Sequence, residues 1–482
     1  MIALTLAEVA AATDGDLRNA DPGTVVTGTV EYDSRRVTAG GVFVALTGER
    51  VDGHDFAAGA VEAGVAVVLA TRPLDGVPSI LVDDALVALG KLARAVVDRL
   101  PDLTIVGVTG SSGKTSTKDL LAAVCGRLGA TVAPPGSFNN ELGHPWTVLR
   151  ADADTRYLVL EKSARGVGHV RWLTEVAPPR IGVVLNVGAA HAGEFGSIEA
   201  TAQAKGELVE ALPAEGLAVL NADDGRVRAM ASRTKARVVQ VGLAPDADVR
   251  ASDVTLDGIG RPGFTIHVGD ARAHVQLKLH GEHHVGNVLA AAAVGLELGL
   301  GLDEVAAVLS EATPVSRRRM EVTERVDGVT VVDDSYNANP DSVRAALKAL
   351  RAMATPAPNQ GEEPRGRRRV WAVLGHMAEL GETSREEHDA IGRLAVRLDI
   401  DRLVVVGPDA GAIHAGAVLE GSWGEESVHV PDVDAAVELL GNQLAPGDVV
   451  LVKGSRSARL DRVVDALLAG PVATPAPGGG RA

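Results

Sequence analysis

The chain has 482 residues, of which 46% are apolar and only 2% aromatic, and it carries a formal charge of −16. That length exceeds one core and points to about three domains at roughly 150 residues each, while the acidic balance excludes general affinity for nucleic acid or acidic membranes. One cysteine, Cys125, rules out an internal disulfide framework and a cysteine-based metal site; in an apolar helix it reads as a buried structural thiol.

The opening "MIALTLAEVAAATDG" has no basic head or long apolar run, and nothing in the chain reaches the ~20 apolar residues of a membrane span, so a soluble cytoplasmic protein is expected. Residues 1–102 form a small α/β module. "GGVFVAL" and "GVAVVLA" read as strands with the helix "FAAGAVEAG" between them, and the helix "LVALGKLARAVVDRLPDL" is closed by Pro101. Residues 103–314 repeat strand, turn and helix. The strands "TIVGVT", "YLVLEK", "IGVVLNV" and "LAVLNA" imply a parallel sheet, and the alternation over 249–280 a small antiparallel addition. The helices "HVGNVLAAAAVGLELG" and "LDEVAAVLSEA" follow. Residues 315–470 form a third α/β module with strands "VTVVDD", "RRVWAVLG", "RLVVVG" and "DVVLVKG". The proline-rich, charged tract 354–369 reads as a disordered insertion, and 471–482 as a disordered tail.

Residues 105–117, "IVGVTGSSGKTST", end like a phosphate loop, yet the pattern G-x-x-x-x-G-K-[ST] needs its first glycine where Val108 stands. The physical demands can be met without that spacing: a strand delivers the chain, small residues let backbone N–H groups face the anion, and a helix begins there. Thr109, Gly110, Ser111, Ser112 and Gly113 supply the turn, and Lys114, Thr115 and Ser116 open the helix. Lys114 would reach the β- and γ-phosphates, and the Thr115 hydroxyl would bind Mg²⁺. The plainer reading is a glycine turn before a surface helix. Ligands of parallel sheets sit at the carboxyl ends of the strands. "YLVLEK" ends at Glu161, "IGVVLNV" runs to Gly188 and His191, and a helix starting near Ser197 carries Lys205 and Glu207. An acid, an imidazole and a lysine thus share one topological address near a γ-phosphate.

From Thr109 to His191 the chain resembles the central domain of the Mur ligases, whose loop pattern is close to T-G-[ST]-x-G-K-T; "TGSSGKT" matches it. "DDSYNANPDS", "VLGHMAELGETSREEH", "VKGSRS", "PGSFNNELGHPWTVL" and "GEHHVGNVLAAAAV" are similar to further motifs of the family, and "EYDSRRVTAGGVFVALTGERVDGHDF" to its uridine-nucleotide-binding domain. The resemblance spans nearly the whole chain. It implies a uridine-nucleotide-binding domain, a central phosphate-loop ATPase domain and a Rossmann-like carboxy-terminal domain. It also implies ATP-dependent amide-bond formation through an acyl phosphate. The implied substrates are UDP-N-acetylmuramoyl-tripeptide and D-alanyl-D-alanine, with two Mg²⁺ ions and a monomeric enzyme. By matching positions, Glu161 and His191 would ligate Mg²⁺, and Lys205 would be a carbamylated lysine, its cation converted to an oxygen ligand. Asn287, Arg319 and Asp334 match residues contacting ATP. Ser34, Arg35, Asp52 and His54, in the stretch similar to the uridine-nucleotide-binding domain, match substrate-binding positions; Asn139, Asn140, Asn337 and Asn339 match candidates for substrate contacts, and Lys453, Ser455 and Arg456 for the acceptor side.

Plainer roles exist for several of these. Asn337 and Asn339 could form a turn capping the helix that starts at Asp341, Asn287 could be exposed, Arg319 could belong to a solvated basic run, and His54 could brace a loop. His283, His284, His376 and His388 are too scattered for a zinc site and read as satisfied or exposed histidines. The chain departs from the family pattern at Lys162-Ser163, directly after Glu161; strand alternation should turn Lys162 away from Glu161. The ligase that adds the third amino acid is a rival, but it should carry a D-N-P-R-like motif that this sequence lacks. A catalytically weakened nucleotide-binding scaffold is the other.

Overall fold

The structure is a computed structural model that describes residues 1–48, 50–188, 196–354, 366–422, 424 and 426–470. The first strands are β1 (Leu4–Thr5), β2 (Asp16–Arg18), β3 (Val25–Val26), β4 (Val30–Glu31), β5 (Val42–Val44), β6 (Val67–Ala70) and β7 (Ser79–Leu81). β1 pairs with β3, and the rest form a sheet in the order β2-β7-β6-β5-β4. A helix over Leu6–Thr13, which the sequence reading did not single out, is fixed by a capping box between Thr5 and Glu8. The expected helix before Pro101 runs Ala85–Asp98, its first turn capped by Asp84.

The second group comprises β8 (Thr104–Thr109), β9 (Thr131–Val132), β10 (Tyr157–Glu161), β11 (Ile181–Val184), β12 (Leu217–Asn221), β13 (Arg237–Gly242), β14 (Val249–Leu256), β15 (Pro262–Val268) and β16 (Ala271–Gln276). They make one sheet in the order β16-β15-β14-β13-β12-β11-β8-β10-β9. Pairing is parallel from β9 across to β14 and antiparallel through β15 and β16, which is the small addition expected over 249–280.

Side-chain alternation along β10 sorts the core into two layers. Tyr157 and Val159 pack with the helices Lys114–Gly126 and His284–Glu297. Leu158 and Leu160 pack on the other face, in a cluster that also holds Leu6, Val44, Leu69, Leu89 and Val96 from the amino-terminal module. The chain turns at Pro101, but the apolar core runs across that turn.

The last strands are β17 (Glu321–Glu324), β18 (Thr330–Asp334), β19 (Val370–Leu374), β20 (Arg402–Val406), β21 (Ser427–Val430) and β22 (Val449–Lys453), in the order β17-β18-β22-β19-β20-β21. All neighbours are parallel except β17 with β18. Of the proline-rich tract, Ala354 accepts a hydrogen bond from the Arg368 amide at 2.7 Å, closing its base. Residues 355–365 and the tail 471–482 lie outside the described residues.

The second and third sheets are joined through the segment before β17. The buried Lys118 ammonium, one turn beyond the glycine loop, bonds Asp119, the Pro134 carbonyl at 2.9 Å and the Ser316 hydroxyl at 3.1 Å. Asp119 also accepts the Ser316 amide at 3.0 Å. A buried ammonium needs such partners, because leaving the charge unpaired there costs several kcal/mol, of order 3–5.

In the third module the helices Ser384–Arg397 and Gly411–Glu420 approach to near backbone contact. A Cβ at Gly392 would lie 1.9 Å from the Ile413 carbonyl oxygen, and one at Gly416 would lie 2.2 Å from that of Asp389. Gly392→Ala should therefore destabilise this module by about 1–3 kcal/mol through overpacking. Gly441→Ala, on a helix where a Cβ meets nothing within 4 Å, should stabilise by roughly 0.5–1 kcal/mol. Thermal unfolding of the two variants side by side tests the contrast; equal melting temperatures would contradict it.

Candidate active site

β8 delivers the chain into Gly110–Gly113, and the helix Lys114–Gly126 starts at once. Gly113 has φ 80°, a left-handed conformation open to glycine, and a Cβ there would also lie 2.7 Å from Asn287 Oδ1. The loop is held from outside by Asn186, whose Oδ1 accepts the Ser111 and Ser112 amides, each at 2.9 Å. The Gly188 amide donates to the Ser111 hydroxyl at 2.8 Å. Lys114 Nζ donates to the Gly110 carbonyl at 2.7 Å. Burial lowers its pKa, partly offset by the nearby Glu161 carboxylate. Thr115 Oγ1 lies 2.6 Å from the Ser137 hydroxyl, and Thr109 Oγ1 donates to the Lys162 carbonyl at 2.7 Å.

Glu161 is fully buried beside this loop. Its Oε2 accepts from Asn139 Nδ2 at 3.1 Å, whereas Oε1 has no hydrogen-bond partner among the described residues. Burial raises its pKa against the pull of Lys114 and Lys118. A buried carboxylate oxygen without a donor is costly, and a hard cation prefers oxygen of this kind. Together with the Thr115 hydroxyl, the residues present fit Mg²⁺. Lys205 is buried on the helix Ile198–Glu210, and burial, then Lys114, holds its amine well below the usual lysine pKa. His191 lies outside the described residues. Glu207 faces elsewhere: its carboxylate accepts the Gly168 amide at 2.6 Å and the Arg171 amide at 2.9 Å, capping the helix His169–Val176.

Lys162 points to the opposite face from Glu161, as alternation predicts. Its Nζ is buried and donates to the Leu173 carbonyl at 2.9 Å and the Ala177 carbonyl at 3.2 Å, and lies 2.9 Å from His144 Nε2. Burial lowers the pKa of Lys162; burial and then Lys162 hold His144 neutral. The Lys162 amine therefore does not compete for a cation at Glu161.

The carboxy-terminal module closes the other wall. Arg319 turns inward rather than joining a solvated run: Nη2 donates to the Ser137 hydroxyl at 3.2 Å, and the guanidinium stacks on Tyr336 at 4.4 Å. Its neighbours Arg318 and Met320 have φ 62° and 51°, so the backbone is constrained on both sides. Asn287 is buried, with Nδ2 3.4 Å from His284 Nδ1. Asp334 accepts from Lys453 Nζ at 2.6 Å, and Lys453 also donates to the Asn337 carbonyl at 2.9 Å. The expected acceptor-side Lys453 is thus buried beneath the cleft beside Asp334, while Ser455 and Arg456 line it.

Asn339 serves two ends. It caps the helix Pro340–Met353 by accepting the Ser342 amide at 2.9 Å, and its Nδ2 donates to the Ser111 carbonyl at 3.2 Å. Asn140 likewise caps the helix Gly143–Val148 through the Gly143 amide at 2.9 Å while lining the cleft.

In the amino-terminal module, Arg35 is solvent-facing and paired with Asp33 at 2.7 Å, next to Ser34. His54 braces its loop: Nδ1 lies 2.6 Å from Asp52, and Nε2 accepts the Thr71 amide at 3.0 Å. Both ring nitrogens are engaged, which leaves Asp52 and its partner Arg72 nearer the surface. His388 is similarly satisfied, between the Met377 amide and the Ser384 carbonyl. His283 and His284 stack at 4.3 Å. The described residues contain no group of three potential metal-ligating side chains. The Cys125 thiol is buried and pushed up to about 12.

These walls enclose a 590 Å³ cleft lined by Tyr32 from the first module, Ser111–Ser116 and Ser137–Gly143 from the second, and Asn337, Asn339 and Arg456 from the third. Tyr32, Tyr336 and Ser137 escaped the sequence reading as individual residues, although each stands inside a motif it quoted. His144 stands in the same motif as Ser137, but its burial and that of Lys118 leave no trace in spacing.

A phosphate-type loop at parallel strand ends, faced by a second parallel sheet and roofed by a third module, defines a modular α/β protein of the nucleotide-using class. Family models match in the same order: "Mur ligase family, catalytic domain" over 27–96, "Mur ligase middle domain" over 108–295 and "Mur ligase, glutamate ligase domain" over 318–456. The UDP-N-acetylmuramoyl-tripeptide--D-alanyl-D-alanine ligase of Mycobacterium tuberculosis is 55% identical, covering 97% of this chain and 98% of the relative. The crystal structure of MurF from Acinetobacter baumannii superposes with a TM-score of 0.85 at 29% identity, over 97% of this chain and 99% of that one. MurF ligase from Thermotoga maritima in complex with ADP gives 0.78 at 30% identity, over 92% and 98%. The chain belongs to the Mur ligase family.

The two duties of Asn339 can be separated. Asn339→Asp keeps a good helix cap but loses the amide donor facing Ser111. Its melting temperature should stay close to that of the parent, while kcat/KM for ATP falls about tenfold, in line with ~1.4 kcal/mol for a lost, partly repulsive contact. An unchanged kcat/KM would confine Asn339 to capping.

Proposed function

We propose that this protein is the ATP-dependent ligase that joins D-alanyl-D-alanine to UDP-N-acetylmuramoyl-tripeptide, yielding the pentapeptide precursor of peptidoglycan. The observation that carries the reading is the single cleft lined by all three modules. Three ligands of different chemistry, a uridine-linked peptide, a triphosphate and a dipeptide, need three recognition surfaces around one reacting centre. The near full-length similarity to ligases of that name supports the same reaction, and the ADP complex of a relative supports the nucleotide.

In this reading the tripeptide carboxylate attacks the γ-phosphorus, forming an acyl phosphate and releasing ADP. The D-alanyl-D-alanine amine then attacks the acyl carbon, and phosphate leaves. Backbone amides of the 110–114 loop and Lys114, freed from the Gly110 carbonyl, bind the phosphates; catalysis rests on positioning and charge stabilisation. Thr115, Glu161, His191 and Lys205 would hold Mg²⁺, which supplies charge neutralisation at the transferred phosphoryl group. Burial lowers the Lys205 pKa and so favours the neutral amine, the form that takes up carbon dioxide, which supports carbamylation. Arg319 and Asn287, beside Gly113, serve the nucleotide. Asn139 and Asn140 serve the peptide substrate, Asn337, Ser455 and Arg456 the acceptor, and Ser34, Arg35 and Asp52, with His54 as a brace, the uridine part. Lys453 acts by holding Asp334. Lys162 turned away from Glu161 weighs against a scaffold weakened by Lys162-Ser163. The reading carries with it a cytoplasmic monomer that binds no nucleic acid; no helix among the described residues is long and apolar enough to cross a membrane.

Phosphate release should require ATP, UDP-N-acetylmuramoyl-tripeptide and D-alanyl-D-alanine together; release without the dipeptide, or with a free amino acid in its place, contradicts the assignment. Lys205→Ala should lower kcat about 10²–10³-fold, as loss of one charge-stabilising group does, with partial recovery on adding short-chain carboxylates. Full activity of that variant would reject Lys205 as a source of a metal ligand.

A further inference from the structure

Lys162 is a fully buried lysine with no part in the chemistry above, and the structure makes room for it. Its stem passes over Gly107, where a Cβ would lie 3.0 Å from Lys162 Cε. Two of its acceptors, the Leu173 and Ala177 carbonyls, belong to the end of the helix His169–Val176, where carbonyls look for donors outside the helix. The third is His144 Nε2 at 2.9 Å, while His144 Nδ1 has no partner among the described residues. The polar engagement of the imidazole is therefore with Lys162.

His144 sits in the first turn of the helix Gly143–Val148, directly after the loop that lines the cleft. The His144 amide donates to the Asn140 carbonyl at 2.9 Å. At its other end the loop is tied to the strand carrying Lys162: the Ser163 amide donates to the Asn139 carbonyl at 3.1 Å, and Asn139 Nδ2 to Glu161 Oε2 at 3.1 Å. Residues 161–163 thus grip the loop by backbone and by side chain, from both faces of β10. We infer that Lys162 and His144 are a positioning pair that sets the Asn139–Asn140 loop and, through Asn139, the orientation of Glu161.

The inference rests on the reading of Glu161 as a cation ligand, so its test separates the two. His144→Val removes the acceptor, His144→Gln keeps one, and Lys162→Met removes the donor at similar length. Two readouts are taken: the Mg²⁺ concentration for half-maximal phosphate release, and amide hydrogen exchange of residues 137–148 without nucleotide. His144→Val should raise the Mg²⁺ midpoint about tenfold, the scale on which outer partners tune a metal site, and accelerate exchange in that segment about tenfold. His144→Gln should stay within about twofold on both, because the amide restores the contact. Lys162→Met, if it folds, should resemble His144→Val. If His144→Val and His144→Gln behave alike, or if exchange rises while the Mg²⁺ midpoint stays put, the pair does not position Glu161 and the inference falls. Glu161→Gln is the independent control: an unchanged Mg²⁺ midpoint there rejects the role of Glu161 itself.

Discussion

The register of one parallel ladder governs the site. Glu161 at the end of β10 pairs with Val108 of β8, and Val184 of β11 pairs with Thr109. Because these strands run in the same direction, all three end at one level, just where the glycine loop leaves β8. A slip of one residue would exchange Glu161 with Lys162, since side chains alternate with period two. The carboxylate would then enter the apolar layer shared with the first module, and the ammonium would face the loop. Register is held by the apolar alternation itself, with Tyr157 and Val159 committed to one layer and Leu158 and Leu160 to the other.

Around that ladder, the polar groups of the cleft do structural and chemical duty together. Asn140 and Asn339 cap helices while presenting amides to the cleft, and Lys453 secures Asp334 from below. A side chain already fixed by a cap or ion pair loses little further freedom when it meets a ligand, so such dual use preorganises the site. In "DDSYNANPDS" the capping role of Asn339 leaves its amide nitrogen directed at Ser111, so the cap does not exclude a contact role.

Much of this was legible in the sequence. The strand–glycine–helix grammar located the phosphate loop, the antiparallel addition and the third module, because turns and apolar periods are local properties. β9 and β17 were not, being short edge strands, and β13 carries an interrupted apolar pattern that only pairing with β12 turns into a strand. Within the site, Glu161 and the Gly110–Gly113 turn follow from topology alone. The tie of His54 to Thr71, the descent of Lys453 beneath the cleft and the capping role of Glu207 depend on partners 17 to 119 positions away in the chain. No spacing rule carries that information. His191 lies beyond the described residues and stays an expectation of the motif.

The core that crosses Pro101 bears on how the molecule can move. Leu158 and Leu160 of the central sheet and Leu69 and Leu89 of the amino-terminal module lie in one apolar cluster, so swinging these two bodies apart would bare a continuous oily surface to water. The link to the carboxy-terminal module is different in kind: it is made of polar contacts, Lys118 with Ser316, Arg319 with Ser137 and Asn339 with Ser111. Parting the third module from the second would break hydrogen bonds that water can replace, whereas parting the first from the second would give up apolar burial.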